Sequence, residues 1–338
     1  MDPMNIAGIG VLCSHGRGVA RFEQALNESR VPSTAPASCH RIPSEVLEDR
    51  EVLWDIRRAD RFSKIAVLGA YDAMRDGDSR DGSVGIIVCT GLGPHATTFR
   101  FLDDILDYGD ASVSPTIFSH SIHNAAASYI AKILKCTGPT LTVTQFHFSF
   151  QQALLLAGAW MSEGRCEHVL VGCVEECGSV MESIYGYKLK VGTNSGMHLS
   201  ACGNKSSTGL GEGSVFFLVT SDPARRKYGV FSDVSLDGEP CVEERPDLCI
   251  IENDDATVDP GIPIVEFSPI FGHMMTGSGF QCAAAALMLR NQVAYACPSS
   301  DVSDGPNVIV ETKPMAIREI LCIKYDCKRL RSCVKLNK

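Results

Sequence analysis

Residues 138–154, GPTLTVTQFHFSFQQAL, place a turn, a predicted buried strand, an elbow and the start of a helix in immediate succession. The Gly-Pro pair is typical of a tight turn, and the run that follows it is rich in β-formers. A strand-to-helix elbow is a place where a catalytic nucleophile can be mounted, because the first turn of a helix stabilises negative charge. Here the elbow carries Phe146, His147 and Phe148. The sequence therefore raises the question of whether His147 has a chemical role or fills a place where chemistry has been lost.

On both sides of this stretch, short β-rich runs alternate with longer runs of helical periodicity, which predicts an α/β protein. The predicted strands are residues 5–12, 83–91, 140–146, 167–176, 213–221, 230–238, 247–253, 262–268, 307–312 and 318–326. The predicted helices are residues 18–29, 61–77, 124–135, 149–164 and 277–295.

The second part of the chain repeats the element order of the first part more briefly. We therefore expect two similar α/β halves packed face to face. The first half spans residues 1–222, with insertions at about 31–58 and 178–209, and the second half, which is trimmed, spans residues 223–338.

Composition limits the function. The chain has 338 residues, is 45% hydrophobic and carries a net charge of −9, which argues against general nucleic-acid binding. No apolar run is long enough to span a bilayer, and MDPMNIAGIGVL at the N-terminus does not resemble a signal peptide. We expect a cytoplasmic protein, and we interpret the basic end CKRLRSCVKLNK as a solvated tail rather than a docking patch.

The fifteen cysteines are scattered and form no CxxC pair. Several lie inside apolar runs, which favours buried, reduced thiols over disulfides. No cluster of Cys and His has the spacing of a zinc site, so no metal site is predicted.

Several stretches together resemble the β-ketoacyl synthases, the condensing enzymes of fatty acid and polyketide synthesis. They are, in chain order, IAGIGVLCSHGRGVARFEQAL, RADRFSKIAVLGAYDAM, SPTIFSHSIHNAAASYIAKIL followed by GPTLTV, GEGSVFFLV and FGHMMTGSG. The resemblance covers about residues 5–295 and implies a thiolase-like fold, with two similar halves in a layered αβαβα arrangement and a shortened second half. It implies no cofactor.

The chain departs from the family pattern at the residues that do the chemistry. His147 stands where the resemblance places the nucleophilic Cys, and Asp254 stands nearest the place of the first His. Ser268 replaces a Lys, and only the second His is kept, as His273. The Gly-rich loop of the family is absent, with SDVSDGPNVIV in its region.

These replacements do not suit condensation. The reaction needs a thiolate to hold the acyl chain and two donors to stabilise an enolate. An acyl-imidazole on His147 would hydrolyse readily, and Asp254 would repel malonate. Phe146 and Phe148 are expected to fill the former pocket together with Phe150.

The leading hypothesis is therefore a non-condensing subunit, similar to the chain-length factors, that acts with an active synthase in fatty acid or polyketide/polyene biosynthesis. One alternative is an enzyme of altered chemistry, a malonyl decarboxylase or acyltransferase using His273 and His147. A hydrolase that uses Ser149 is a weaker variant of it. Another alternative is a homodimeric protein that binds acyl chains or acyl-carrier protein.

The expected partners are acyl-carrier protein and a ketosynthase subunit, in a homodimer or heterodimer. By resemblance, His123 and Asn124 lie near the dimer interface, and Asn124 is a predicted helix N-cap. We also expect dimerisation through the strand at 167–176 and its surroundings.

Overall fold

A computed structural model describes residues 1–32, 39–79, 82–184, 209–236, 245–252, 261–298, 307–326 and 330–338. Its strands are β1 (Met4–Cys13), β2 (Gly16–Arg17), β3 (Gly85–Thr90), β4 (Thr140–Thr144), β5 (His168–Glu175), β6 (Gly213–Thr220), β7 (Val230–Ser235), β8 (Leu248–Glu252), β9 (Ile264–Val265), β10 (Val293–Ala294), β11 (Lys313–Pro314), β12 (Glu319–Tyr325) and β13 (Arg331–Asn337). The α-helices are α1 (Val19–Asn27), α2 (Arg50–Leu53), α3 (Arg61–Asp76), α4 (His95–Tyr108), α5 (Pro115–Ser121), α6 (Ala125–Leu134), α7 (Ser149–Ser162), α8 (Ser268–Phe271) and α9 (Ser278–Asn291).

The described strands form a mixed sheet in which the same pattern occurs twice. The first half has the order β4-β3-β5-β6-β1, and the second half has the order β9-β8-β12-β13-β7. In each half the first three strands are parallel and the last two run antiparallel to their neighbours. The halves meet at β1 and β7, which share only two residue pairs. This is a thiolase-like α/β fold with two similar halves; the boundary at residues 222 and 223 stays a prediction.

The helices form layers around the two halves. On one face, α3 and α6 cover the first half of the sheet, where their apolar side chains share a core with β3 and β6. Between the halves lie α7 and α9, and α9 contacts strands from both. Because water reaches α9 from neither side, its residues from Ser278 to Leu289 are all buried.

The close packing of α3 on β1 explains the glycines of the opening strand. A Cβ atom at Gly8 would clash with the backbone of Ala73, and one at Gly10 would clash with the backbone of Gly69. Only residues without a side chain allow the helix to approach the strand this closely.

The second half is shorter than the first. Between β1 and β3 the chain builds α1, α2 and α3, whereas β7 ends at Ser235 and β8 already begins at Leu248. The shortened second half that the resemblance implies is confirmed.

Some predicted elements differ from the observed ones. The strand predicted at 262–268 is only two residues long, because the chain turns into α8 at Ser268. Helices α4 and α5 were not predicted. The strand predicted at 307–312 contributes an isolated bridge at Val308.

The prediction of a solvated C-terminal tail was wrong. Strand β13 lies inside the sheet between β12 and β7, and Cys333, Val334 and Leu336 are buried. Its two charged residues, Arg331 and Lys335, are half-buried, and Lys335 pairs with Glu319 at 2.7 Å.

The prediction that the cysteines are reduced thiols was wrong for one pair. Cys39 and Cys177 form a disulfide, while ten other cysteines of the described segments are free and nearly all are buried.

Two features of the first half bear on assembly. Strand β5 is paired on both sides, by β3 and β6, and is buried from Val169 to Glu175, so it cannot carry a dimer contact as predicted. The strand at the edge is β4, whose residues are exposed or half-buried rather than buried. Within the described segments, none of the helices has the length and apolar character that a membrane span requires.

Candidate functional site

The elbow has the predicted geometry of strand, turn and helix. Strand β4 runs parallel to β3, the Gln145 backbone N–H donates to the Thr90 carbonyl at 3.2 Å, and α7 begins at Ser149. His147 therefore lies immediately before the helix, in the place where the resemblance locates the nucleophile.

The three phenylalanines at the elbow differ in burial. Phe148 and Phe150 are buried, and Phe150 packs against Phe217 with ring centroids 5.8 Å apart. Phe146 is 55% exposed. Phe146 is thus not packed into the core of this chain, and its expected place in the former pocket stays a prediction.

His147 is half-buried and holds an electrically neutral ring at pH 7. Burial lowers its pKa, and the nearby charge of Lys324 lowers it further against the opposing effects of Asp326 and Glu252. Its Nδ1 has no hydrogen-bond partner among the described residues.

Lys324 is a buried cation next to the elbow. It lies on β12, its side chain is 1% exposed, and its Nζ donates to Glu252 Oε1 at 3.0 Å and to the Met275 carbonyl at 2.6 Å. Glu252 ends β8, the parallel neighbour of β12. The ion pair therefore lies at the C-terminal ends of two neighbouring parallel strands.

A chain of hydrogen bonds continues from this pair into the two central helices. Ser278 donates to Glu252 Oε2 at 3.2 Å, and Gln151 donates to the Ser278 hydroxyl at 3.1 Å. Since Ser278 begins α9 and Gln151 lies in the first turn of α7, the network links both helix starts to the sheet.

Glu175, at the end of β5, is a second buried acid in this region. Burial raises its pKa to about 7, although its carboxylate accepts the Gly91 N–H at 2.7 Å and the Thr90 hydroxyl at 3.4 Å. Lys324 is close enough to lower the same pKa. Glu175 is thus close to half-protonated at neutral pH.

His273 follows Gly272, whose φ of 86° only glycine adopts readily. Its backbone is fixed by two bonds, from its N–H to the Gly209 carbonyl at 2.9 Å and from the Gly211 N–H to its own carbonyl at 2.8 Å. Burial, and then the charges of His40 and Lys324, lower its pKa to about 4. The imidazole is neutral at pH 7.

Two other predicted site residues have different outcomes. Ser268 is buried at the start of α8, and its hydroxyl donates to Glu266 at 2.8 Å, so it is committed to a structural contact. Asp254 lies outside the described residues.

The thiols near the elbow are not nucleophiles. Cys89 lies beside the Ser149 hydroxyl and Cys173 beside Thr276, and both thiols are fully buried. Burial raises the pKa of Cys89 well above its usual range and that of Cys173 to about 12. Ser149 is fully buried too, which removes it as a hydrolytic nucleophile in this conformation.

Comparison with known families agrees with the resemblance. The model of the β-ketoacyl synthase N-terminal domain matches residues 54–212. The match contains the elbow, and it ends just before β6. No curated protein sequence matches the chain.

Solved structures extend the fold to the whole chain. It is similar to a chain of the AntDE:AntF complex, a type II polyketide synthase acyl-carrier protein with its ketosynthase, with a TM-score of 0.76, 14% identity and 99% of both chains covered. The ishigamide ketosynthase/chain length factor has a TM-score of 0.76 and 14% sequence identity, and the likeness covers 100% of this chain and 99% of that one. A β-ketoacyl synthase from Burkholderia phymatum STM815 has a TM-score of 0.76 and 13% sequence identity, and the likeness covers 100% of both chains. These likenesses show the ketosynthase fold.

Most of the ionisable site residues that the sequence analysis did not consider lie in the second half of the chain. Sequence reasoning singled out His147 and His273, whose roles stay predictions, and did not consider Lys324, Glu252 and Glu175. The one signal for Lys324 is its place in EILCIKYD, a lysine inside an otherwise apolar strand. Its charge lowers the pKa values of both His147 and His273, so it is the residue that connects them electrostatically.

One face beside the elbow is open and apolar. A cleft of about 480 Å³ lies between α6 and β4, lined among others by Ile122, His123, Asn124 and Leu141. Asn124 occupies the N-cap position of α6 as predicted, but its side chain makes no capping hydrogen bond.

Proposed function

We propose that this chain is a non-condensing ketosynthase-like subunit that acts beside an active ketosynthase, in the manner of a chain-length factor. The observation that carries the proposal is the chemistry of the elbow, where His147 replaces the thiol and the neighbouring thiols, Cys89 and Cys173, are buried and protonated. Without an accessible thiolate, the described residues around the elbow offer no group that could store an acyl unit as a thioester.

The ion pair behind the elbow supports the same proposal. A condensing site needs donors that are free to stabilise an enolate. Lys324 is the strongest donor in the region, but two hydrogen bonds hold it to Glu252 and to the Met275 carbonyl. This geometry suits a stable scaffold better than a reacting centre.

The open face supports an assembly role. Strand β4 pairs with β3 on one side, and no described strand covers its other side. Leu141 on this strand is 40% exposed, and Ile122, which lines the same cleft, is 44% exposed. A partner strand added to this edge would pair the free backbone groups and cover these side chains.

The partner that we propose is an active ketosynthase, and the ligand that the pair handles is an acyl chain on acyl-carrier protein. The structural neighbours support this choice, since one is a ketosynthase/chain length factor and another is a ketosynthase with its acyl-carrier protein. A cytoplasmic pathway for fatty acids or polyketides, including polyenes, is part of the proposal.

The test is a condensation assay on the purified chain with acyl- and malonyl-carrier protein, followed by mass spectrometry. We expect no carbon–carbon bond formation by the chain alone, and formation of product when an active ketosynthase from the same genome is added. Condensation by the isolated chain at an enzyme-like rate would overturn the proposal.

The alternative with altered chemistry rests on a specific observation. His147 and His273 both have lowered pKa values, so two neutral imidazoles lie within the field of Lys324. Such a site could stabilise the enolate of malonyl decarboxylation without a nucleophile. This alternative predicts that malonyl-carrier protein is consumed by the wild-type chain and that His273→Ala abolishes the consumption; the leading proposal predicts no consumption by either protein.

A further inference from the structure

Three side chains of metal-ligating type lie together away from the elbow, where the chain leaves β5. They are Cys177, two residues after that strand, Glu182 on the following turn, and Cys39 from a distant part of the sequence. Their sulfur and carboxylate atoms all lie within 4.8 Å of one another. In the structure the two sulfur atoms are joined as a disulfide.

The two cysteines are held close by more than their mutual bond. Glu212, which is fully buried, accepts the Cys177 N–H at 3.3 Å and the Ile42 N–H at 3.0 Å. Arg61 fixes the same carboxylate with two hydrogen bonds of 2.8 and 2.6 Å. Because one carboxylate ties both cysteine-bearing segments to the core, the two thiols remain neighbours when the disulfide is reduced.

Glu182 is oriented toward the sulfur atoms. Arg41 pairs with its Oε2 at 3.0 Å, which leaves Oε1 at 3.8 Å from the Cys177 sulfur. The cysteines are nearly buried, whereas the Glu182 side chain is 29% exposed. Water and a hydrated ion can therefore reach the group from the Glu182 side.

We propose that the reduced form of this group binds one Zn²⁺ through Cys39, Cys177 and Glu182, with water as the fourth ligand. Thiolate and carboxylate oxygen are zinc ligands at about 2.3 and 2.0–2.2 Å, and two such bonds from one ion span a separation close to that observed between Cys177 and Glu182. Two thiolates favour zinc over the hard cations Mg²⁺ and Ca²⁺. The sequence-based expectation of no metal site missed this group because its members are distant in the chain.

Zinc binding follows reduction of the disulfide as a separate step. A dithiol such as dithiothreitol supplies two electrons and two protons, the S–S bond breaks, two thiols form, and the reductant becomes its cyclic disulfide. Zn²⁺ then displaces the two thiol protons, so zinc binding releases two protons to solvent and grows stronger as the pH rises. In a reducing compartment the cysteine pair is thus a metal ligand set, and in an oxidising one it is a covalent staple.

The test uses the full chain and does not depend on its catalytic or assembly role. The chain is reduced, freed of metal, titrated with Zn²⁺ against a chromophoric chelator and then analysed by mass spectrometry under native conditions. We expect about one Zn²⁺ per chain, its loss in Cys39→Ser and Cys177→Ser, and binding weakened at least tenfold in Glu182→Gln. Cys297→Ser is the matched control, because Cys297 is a half-buried cysteine that forms no disulfide and lies outside the group.

Two further measurements make the result decisive. Zn²⁺ should raise the thermal midpoint of the reduced wild-type chain and leave that of the oxidised chain unchanged, because ligand binding to the folded state stabilises it. Circular dichroism establishes that the serine variants fold. A reduced wild-type chain that binds no zinc at micromolar free metal, or folded serine variants that bind it as well as the wild type, would refute the site.

Discussion

Lys324 Nζ lies 3.0 Å from Glu252 Oε1, and both side chains are almost completely removed from water. The two residues come from neighbouring parallel strands, β12 and β8, and they meet behind the elbow that carries His147. A buried ion pair costs desolvation energy, and its loss on one side is more damaging than its absence on both. The pair therefore has a structural role in the region where a condensing enzyme would keep its reacting groups.

The first prediction concerns the stability of this pair. We expect Lys324→Met to lower the free energy of unfolding by about 3–5 kcal/mol, because it leaves the Glu252 carboxylate buried without a cation. The double variant Lys324→Met/Glu252→Leu should regain most of this loss. Denaturant unfolding measures both. The control is Arg165→Met, since Arg165 pairs with Glu163 on the surface and should change stability by less than about 1 kcal/mol. Equal losses in the single and the double variant would contradict the prediction.

The second prediction concerns pH. The pKa of Glu175 is raised from 4.5 to about 7 in the folded chain, so the folded state binds more protons than the unfolded state between these pH values. Its contribution to stability is present below about pH 4.5 and is lost as the pH rises toward 7. Glu175→Gln keeps the neutral form at every pH, and its stability relative to wild type should increase over this range.

The difference between the two proteins is the quantity to measure. His273 and His40 have pKa values lowered to about 4, and they make the folded state more stable as the pH rises from about 4 to 6.5. They are present in both proteins and cancel in the difference. Glu163→Gln, at an exposed position, is the control and should give a flat difference. A flat difference for Glu175→Gln as well would show that Glu175 does not titrate in this range.

The sequence predicts the fold better than it predicts the site. Continuous, mostly apolar runs such as those of β1, β3 and β6 are fully buried, and their short length and β-forming residues identify them as strands. Strand β13 was missed because its arginine and lysine suggest a solvated tail, although Cys333, Val334 and Leu336 are buried within it. The prediction of a solvated tail gave the charged residues of this segment more weight than its apolar residues.

Site residues could be proposed from the sequence only where a recognisable motif surrounds them. His147 and His273 were proposed in this way, and their roles stay predictions. Lys324 and Glu252 are 72 positions apart, and neither is unusual until the sheet makes β12 and β8 neighbours. The same limit applies to Cys39 and Cys177, separated by 138 positions. Long-range pairing is set by topology, which no local pattern contains.

The third prediction returns a thiol to the elbow. We expect His147→Cys to react with iodoacetamide faster than the buried thiols do, because position 147 is half-buried, precedes a helix and lies within the field of Lys324, all of which favour a reachable thiolate. Condensation of acyl- and malonyl-carrier protein should remain absent, since Lys324 stays bound to Glu252. Peptide mass spectrometry locates the label, and the wild-type chain is the control. Recovery of condensation by this single change would show that the rest of the site is intact.

The fourth prediction tests the open edge of β4. If a partner strand adds to this edge, a charge at Leu141 must be buried against it, so Leu141→Glu should weaken assembly at least tenfold without unfolding the chain. Sedimentation velocity of the chain alone, and of its mixture with an active ketosynthase from the same genome, measures the effect on self-association and on hetero-association separately. Val310→Glu is the matched control, because Val310 is 69% exposed and lies outside the cleft between α6 and β4. If Leu141→Glu assembled as well as the wild type, the interface would not lie at β4.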